Sequence, residues 1–199
     1  METYYLLTIL LTFLFVSNLR TSLAATTTTG TSSTKKYTSY VKTACSSTTY
    51  PKVCYSSLLP HASKIKANPR NLCNTALSVA IKAARNASST ISELSKQKGL
   101  TKSEVGIIKD CMENIGDSID ELKQSLNEMG NLGESDVKVQ IDDIKTWVST
   151  AITDEDTCTD GFDGQKVSAK VENKIRKSIL HVAMPTSNAL SIINTLYSY

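Results

Sequence analysis

The 199-residue sequence predicts an all-α protein: an up-down-up-down four-helix bundle preceded by an N-terminal helical hairpin. Three observations predict this fold. Apolar residues recur at steps of three and four through four long segments, which places them on one face of a helix. No segment alternates between apolar and polar residues long enough to indicate a sheet. The aromatic fraction is only 6%, and small and aliphatic residues dominate, as expected for helices packed on helices.

The first 25 residues predict a secretory signal peptide. Residues 6–16 form an apolar run that is too short to span a bilayer comfortably, and the small residues at 22–25 suit cleavage. The start METYY has no basic side chain, so a membrane anchor is the alternative. Residues 26–36 are polar and of low complexity, which indicates a flexible leader. The folded domain is then predicted over residues 37–199, with the hairpin at 37–66 and the bundle at 67–199.

The hairpin is predicted from two short amphipathic pieces around CSSTTYPKVC. Pro51 suits a first helical turn, and the close cysteines Cys45 and Cys54 are placed where they can staple the two pieces together.

The first bundle helix is predicted to start at Pro69 and to end at Gly99, a C-cap glycine. Its apolar line is Leu72, Ala76, Val79, Ala83, Ala87, Ile91 and Leu94, and its polar line is Lys82, Asn86, Ser89 and Glu93. The second helix opens on TKSE, a capping box with Thr101 as N-cap and Glu104 at N3. It has the most regular apolar seam: Val105, Ile108, Met112, Ile115, Ile119, Leu122, Leu126 and Met129.

The third helix is predicted from about Ser135, after the break GNLG, and the fourth from about Gly164. The third buries Val137, Ile141, Ile144, Val148 and Ala151. The fourth buries Val167, Val171, Ile175, Ile179, Val182, Leu190, Ile193 and Leu196. Pro185 lies inside it and predicts a kink, because that turn lacks a backbone hydrogen bond.

Five cysteines in a secreted chain predict two disulfides and one remaining thiol, but spacing does not choose among the fifteen arrangements. The sequence contains no C-x-x-C, and His61 and His181 have no ligand-like spacing with a cysteine, so a zinc site is not expected.

The composition and motifs favour a binding protein over an enzyme. The formal charge is +3 without a dense basic block, which argues against a nucleic-acid partner. No nucleophile elbow, P-loop, zincin motif or dinucleotide fingerprint is present, and the two histidines have no evident acid/base partner.

Two features are candidates for recognition. An acidic ridge lies on the second bundle helix, opposite its apolar seam: Asp110, Glu113, Asp117 and Asp120, with Glu121 alongside. It is either a solvated helix face or a contact surface. Thr146 and Trp147, the only tryptophan, follow on the third helix, where the tryptophan is either core or contact. Asn86-Ala87-Ser88 is the only N-glycosylation sequon.

Two cysteine-centred motifs resemble the plant invertase/pectin methylesterase inhibitor family. KDCMENIGDSIDELKQSL keeps Asp110, Cys111, Glu113, Asp117 and Leu122 of the family's first signature. TWVSTAITDEDTCTDGF keeps Trp147, Ser149, Ala151, Thr153, Thr157, Cys158, Asp160, Gly161 and Phe162 of the second. Ile115, Gly116 and Thr150 depart from the usual residues. The resemblance covers about residues 36–199.

The resemblance implies the disulfides Cys45–Cys54 and Cys111–Cys158, with Cys73 left as a partly buried thiol. It also implies an enzyme inhibitor that is secreted into the plant cell wall. Such an inhibitor needs no cofactor and binds neither nucleic acid nor membrane. The expected partner is pectin methylesterase, because the tripeptide Pro-Lys-Phe of invertase inhibitors is absent; acid invertase is the alternative. The expected contact residues are Glu113, Asp117, Asp120 and Thr146.

Overall fold

The computed structural model describes residues 32–198 and is helical almost throughout. The predicted signal peptide and residues 26–31 of the predicted leader lie outside the described residues. The helices are α1 (residues 32–46), α2 (Pro51–Leu58), a 3₁₀ turn (Leu59–His61), α3 (Ala62–Ile65), α4 (Pro69–Ser95), α5 (Lys102–Gly130), α6 (Val137–Asp160) and α7 (Ala169–Leu196). The range 32–198 contains no strand, and the predicted all-α class is confirmed.

The four long helices form the predicted antiparallel bundle. Each packs against the next in the chain, and α7 returns to pack against α4, which closes the bundle. The short helices α2 and α3 lie against α4, and α2 also lies against α7. Within the described range, no helix is long and apolar enough to cross a membrane.

The buried apolar residues form two clusters at opposite ends of the bundle. The first joins the hairpin to the start of α4, the end of α5, the start of α6 and the end of α7, with Leu77, Leu122 and Ile144 fully buried. The second joins the other ends and contains Ile91, Ile115 and the Cys111–Cys158 pair. The apolar faces read from the sequence therefore meet along the whole bundle axis.

Glu104 ties two helix starts together at one end of the bundle. The predicted capping box is present, because the backbone N–H of Thr101 donates to Glu104 at 2.8 Å and the N–H of Glu104 donates to the Thr101 hydroxyl at 3.2 Å. The other carboxylate oxygen of Glu104 accepts from the backbone N–H and the hydroxyl of Ser168, the N-cap of α7, at 3.0 and 2.6 Å. These hydrogen bonds, led by the one from the Ser168 hydroxyl, lower the pKa of Glu104 to about 2.

The side-chain amide of Asn188 attaches the hairpin to the last turns of α7. Asn188 accepts from the backbone N–H of Tyr50 at 2.8 Å and donates to the Tyr50 carbonyl at 3.1 Å. The disulfide Cys45–Cys54 joins α1 to α2, and both cysteines are buried. Pro51 starts α2 as predicted.

Several predicted boundaries differ from the structure. α4 ends at Ser95, and Gly99, with φ +84°, lies in the following turn, where its left-handed backbone favours glycine. α6 begins at Val137 after the N-cap Asp136, whose carboxylate accepts from the Lys138 N–H. α7 begins at Ala169, five residues after the predicted Gly164. Residues 32–36, predicted as part of the leader, belong to α1.

Two positions of the α5 seam are not core. Val105 is 53% exposed and Met112 is 37% exposed. Both line an open apolar pocket of about 490 Å³ with Leu100 and Ile108, beside the last residue of α4, Ser95. They lie at the edge of the apolar stripe, turned away from the fully buried Ile115 and Leu122. The other six seam residues are buried or half-buried.

Candidate partner-binding surface

The described chain offers no constellation for metal chemistry. No group of three or more His, Cys, Asp or Glu side chains within residues 32–198 is arranged to hold a metal ion. His61 and His181 are both exposed and lie on different elements, the 3₁₀ turn and α7.

The predicted acidic ridge lies on the outer face of α5. Glu113, Asp117 and Asp120 are exposed, opposite the buried Ile115 and Leu122. Oε1 of Glu113 is 3.7 Å from Nζ of Lys109, and Oδ1 of Asp120 is 2.8 Å from Nζ of Lys123. Each lysine is about one helical turn away from its carboxylate. Such exposed pairs are weak, about 0.3–0.5 kcal/mol each, so the carboxylates stay available to a stronger cationic partner.

A carboxyl group of α6 lies beside the ridge. Asp154 is half-buried beside α5, and its charge is felt by Glu121, as are those of Asp117 and Asp120. We call Asp117, Asp120, Glu121 and Asp154 the acidic cluster. Asp117 and Asp120 were predicted from the sequence, whereas Asp154 was not. Its membership depends on the rotation of α6 against α5, which the α6 sequence alone does not give.

The carboxylates of the acidic cluster repel one another. Burial first, and then the neighbouring carboxylates, raise the pKa of Glu121. Burial and Asp117 likewise raise the pKa of Asp154. One oxygen of each carboxyl group, Oε2 of Glu121 and Oδ2 of Asp154, is buried and has no hydrogen-bond partner among the described residues. Apart from the exposed pair of Asp120 with Lys123, the cluster therefore consists of mutually repelling carboxyl groups that a cationic partner would stabilise.

Thr146 does not join the acidic cluster; it lies on the outer face of α6. It is exposed and shares a shallow depression of about 430 Å³ with Ser149, Thr150 and Thr153. Each of these hydroxyls donates to the backbone carbonyl four residues before it, at 2.8, 2.7, 3.1 and 3.2 Å in chain order. We call these four residues the Ser/Thr strip.

The Ser/Thr strip suits protein contact. Its donors are already satisfied, so covering them leaves no unpaired O–H. Its short side chains lose little conformational entropy when they are immobilised. The strip is therefore an exposed surface of neutral hydroxyl groups, bordered by Lys145 and next to the charged surface.

Trp147 is half-buried, so it is neither a fully buried core residue nor a fully exposed contact residue. It lies seven residues before Asp154, so both project from the same side of α6.

Glu155 was not among the residues predicted from the sequence. It is fully buried among α5, α6 and α7, where Oε1 accepts hydrogen bonds from Ser118 at 3.0 Å and Thr186 at 2.9 Å. Its Oε2 has no partner among the described residues. Burial raises the pKa of Glu155 to about 8, against the opposing effect of the two hydrogen bonds. Its position was detectable, because it continues the apolar line of α6 four residues after Ala151.

The structure joins Cys111 on α5 to Cys158 near the end of α6, with 4.4 Å between their Cα atoms, as the resemblance implies. Cys158 is thus part of a bridge and not a nucleophile. Cys73 is free and fully buried, and burial raises its thiol pKa to about 12, so it is inert under ordinary conditions.

Asn86, the predicted glycosylation site, is exposed on α4. It lines a groove between α4 and α7 together with Thr90, Ser178 and His181.

These features define a disulfide-linked helical bundle with candidate contact surfaces on its exposed helix faces. A profile of the plant invertase/pectin methylesterase inhibitor family matches residues 39–192, and the chain belongs to this family. The family resemblance found in the sequence is confirmed. Membership of this family makes the protein an inhibitor and not an enzyme.

Individual relatives agree with the family assignment. Pectinesterase inhibitor 10 of Arabidopsis thaliana is 40% identical over 158 residues, which are 78% of this chain and 50% of that one. The chain thus spans about half the length of that relative. Pectinesterase inhibitor 4 of the same plant is 39% identical over 168 residues, which are 83% of this chain and 84% of that one.

A solved structure shows the same fold. The crystal structure of mutant form A of a pectin methylesterase inhibitor from Arabidopsis superposes with a TM-score of 0.57 at 19% identity, over 75% of this chain and 92% of that one.

Proposed function

We propose that this protein is a secreted inhibitor that binds pectin methylesterase one-to-one and occludes its pectin-binding cleft. Family membership and two relatives named as pectinesterase inhibitors support an inhibitor of this enzyme class. No cofactor and no covalent step are required, because a bound bundle obstructs the polymer by its volume.

The observation that carries this proposal is the combined face of α5 and α6. The acidic cluster and Glu113 supply negative charge, and the Ser/Thr strip supplies an adjoining uncharged surface. Charge complementarity would steer and orient the enzyme, while the strip would make close contact. The proposed contact set thus keeps Glu113, Asp117, Asp120 and Thr146 and adds Glu121 and Asp154.

This face is held rigid at both ends. The Cys111–Cys158 bridge fixes α5 to α6 at one end. At the other end, the side chain of Gln140 donates to Glu128 at 2.6 Å and to the Asn131 carbonyl at 3.1 Å, and accepts from the Gly133 N–H at 2.7 Å. A preorganised face loses little conformational freedom on binding, which favours affinity.

Secretion to the plant cell wall is part of the proposal. The apolar segment at residues 6–16 suits a signal peptide, and two disulfides suit an oxidising compartment.

The decisive experiment titrates the purified protein against a plant pectin methylesterase and, in parallel, against an acid invertase. Ester hydrolysis on methylated pectin is followed by acid release, and the mass of the complex is measured by light scattering. The expected result is stoichiometric loss of methylesterase activity with a one-to-one complex and full invertase activity. Inhibition of invertase alone would establish the alternative, and inhibition of neither would refute the proposal.

A further inference from the structure

The net charge is only +3, but the basic and acidic side chains are unevenly distributed over the surface. α7 carries Lys170, Lys174 and Lys177, all exposed, at steps of four and three, which places them on one side of the helix. None of the three forms an ion pair with a residue in the range 32–198, whereas Arg176, on another side of α7, pairs with Glu172 at 2.8 Å. We call these three lysines the lysine row.

The lysine row borders the groove between α4 and α7. That groove has a volume of about 390 Å³ and is lined by Ala83, Asn86, Ala87, Thr90, Ser178 and His181. Ser178 directly follows Lys177, and its hydroxyl donates to the carbonyl of Lys174 at 2.9 Å. Small side chains keep the groove open, and an amide, two hydroxyls and an imidazole give it hydrogen-bonding groups.

Carboxylates do little to neutralise the row. On α4, Glu93 feels the charge of Lys174, but its carboxylate is held by Lys96 at 2.7 Å, which is the main reason that its pKa is lowered. The acidic cluster lies on the opposite pair of helices, α5 and α6. The described part of the molecule therefore has a negative face and a face with a line of ammonium groups outside any ion pair.

We propose that the α4–α7 face binds a linear polyuronate, that is, an acidic polysaccharide with free carboxylates. The lysine row extends over roughly 10 Å at 1.5 Å rise per residue, so it presents separated positive charges along a straight line. The groove beside it offers partners for the hydroxyls that lie between the carboxylates of such a polymer. The choice of polyuronate rests on the proposed function, because hydrolysis of pectin methyl esters leaves free carboxylates on the polymer.

The inference gives the two faces separate tasks. The α5–α6 face engages the enzyme, and the α4–α7 face holds the protein on polymer that has already lost its methyl esters. An inhibitor retained on the product would act where demethylation is most advanced.

The test measures binding to immobilised polygalacturonate without any enzyme, so its outcome is independent of inhibition. All proteins carry Ser88→Ala, which removes the sequon and prevents a glycan on Asn86 from covering the groove. The lysine-row variant is Lys170→Gln, Lys174→Gln and Lys177→Gln together. The matched control, Lys52→Gln, Lys64→Gln and Lys138→Gln, removes the same charge from exposed positions on α2, α3 and α6.

The expected result is binding to polygalacturonate at about 20 mM salt that falls steeply by about 300 mM, as screening shortens the range of the charges. The lysine-row variant should bind at least tenfold more weakly, and the control should bind within about twofold of the parent. Highly methylated pectin should bind none of these proteins. Both variants should inhibit the methylesterase as the parent does.

Three results would overturn the inference: no binding by the parent at low salt, equal losses in the two variants, or equal binding to methylated pectin. Equally tight binding to polyphosphate would also overturn the polyuronate assignment, because it would show attraction to any polyanion. If polygalacturonate binds but no methylesterase is inhibited, the proposed function fails and the polyuronate site stands.

Discussion

Glu155 on α6 accepts a hydrogen bond from Thr186 on α7 at 2.9 Å, inside the bundle and away from solvent. The same oxygen accepts from Ser118 on α5, so one carboxyl group connects three of the four bundle helices. With burial raising its pKa to about 8, this group is protonated and uncharged in acidic surroundings. Its ionisation would place a charge in the core, on a carboxyl group whose second oxygen has no partner among the described residues.

This arrangement predicts that the protein is more stable at mildly acidic pH than at neutral or alkaline pH. In the unfolded chain a glutamate loses its proton near pH 4.3, whereas the folded protein retains it up to about pH 8. Below both values the group has no effect. Between them the free energy of unfolding falls by about 1.4 kcal/mol per pH unit, and above them the loss is complete. Urea unfolding at a series of pH values measures this slope.

Glu155→Gln should remove most of that slope. The amide oxygen can still accept from Ser118 and Thr186, and the side chain stays neutral at all pH values. The variant should match the parent near pH 4.5 and exceed its free energy of unfolding by several kcal/mol near pH 8. Asp143→Asn, which removes an exposed carboxylate of α6 that is about three turns away from Glu155, is the control and should keep the parental slope. If Glu155→Gln destabilises the protein equally at both pH values, the pH dependence arises elsewhere.

Loss of the bridge between α5 and α6 gives a second prediction. Cys111 and Cys158 are separated by 47 residues, a loop whose closure is valued at roughly 4 kcal/mol in the chain-entropy description. Replacing both with Ala should lower the free energy of unfolding by about 2–5 kcal/mol. The control is Cys73→Ala, which removes a buried thiol without a bridge. Chemical denaturation under non-reducing conditions compares the two, and a smaller loss for the double variant would contradict the prediction.

The four long helices and their succession along the chain were predictable, because each has its own line of apolar residues at steps of three and four. Pro69, the Thr101 capping box and the seams are local signals, and each appears in the structure. Boundaries were less predictable. α7 starts at Ala169 because Ser168 is held by Glu104, a contact between residues 64 positions apart that local pattern does not reveal.

The candidate surface was only partly predictable, for a related reason. Asp117 and Asp120 follow from the α5 repeat, but Asp154 reaches them only through the packing of α6 on α5. Thr146 shares the outer face of α6 with other hydroxyl residues and not with the acids. The lysine row lies on one helix, yet it becomes part of a surface only because α4 places a polar groove beside it.

Charge reversal in the acidic cluster gives the third prediction. Asp117→Lys and Asp120→Lys should each raise the inhibition constant for pectin methylesterase by at least about tenfold, because a like charge would face the proposed cationic contact. Glu93→Lys, at an exposed position on α4 outside the proposed contact, is the control and should inhibit like the parent. Circular dichroism should show unchanged helicity. Unchanged inhibition by both cluster variants would place the contact elsewhere.

The raised pKa values of Glu121 and Asp154 give the fourth prediction. Because burial raises both pKa values above the ordinary values of these groups, both groups lose negative charge at a higher pH than exposed carboxylates do. Affinity for a cationic enzyme surface should therefore weaken on mild acidification. The double variant Glu121→Gln and Asp154→Asn should bind more weakly at pH 7 and show a flatter pH profile. The ratio of variant to parent inhibition constants isolates this effect, since the enzyme's own titration cancels; a ratio that is constant with pH would contradict it.

The last prediction concerns the uncharged part of the surface. Thr146→Trp places a large ring on the Ser/Thr strip, where the parent side chain is short and its hydroxyl is bonded to the Asp142 carbonyl. Because Thr146 is exposed, the ring can be accommodated in the free protein without disturbing the core, so the melting temperature should hardly change. In the complex it would separate the two surfaces and forfeit close contacts, so the inhibition constant should rise at least about tenfold. Ser89→Trp, an exposed position on α4 outside the proposed contact, is the matched control and should inhibit like the parent. If Ser89→Trp weakens inhibition and Thr146→Trp does not, the enzyme binds the α4 side of the bundle instead.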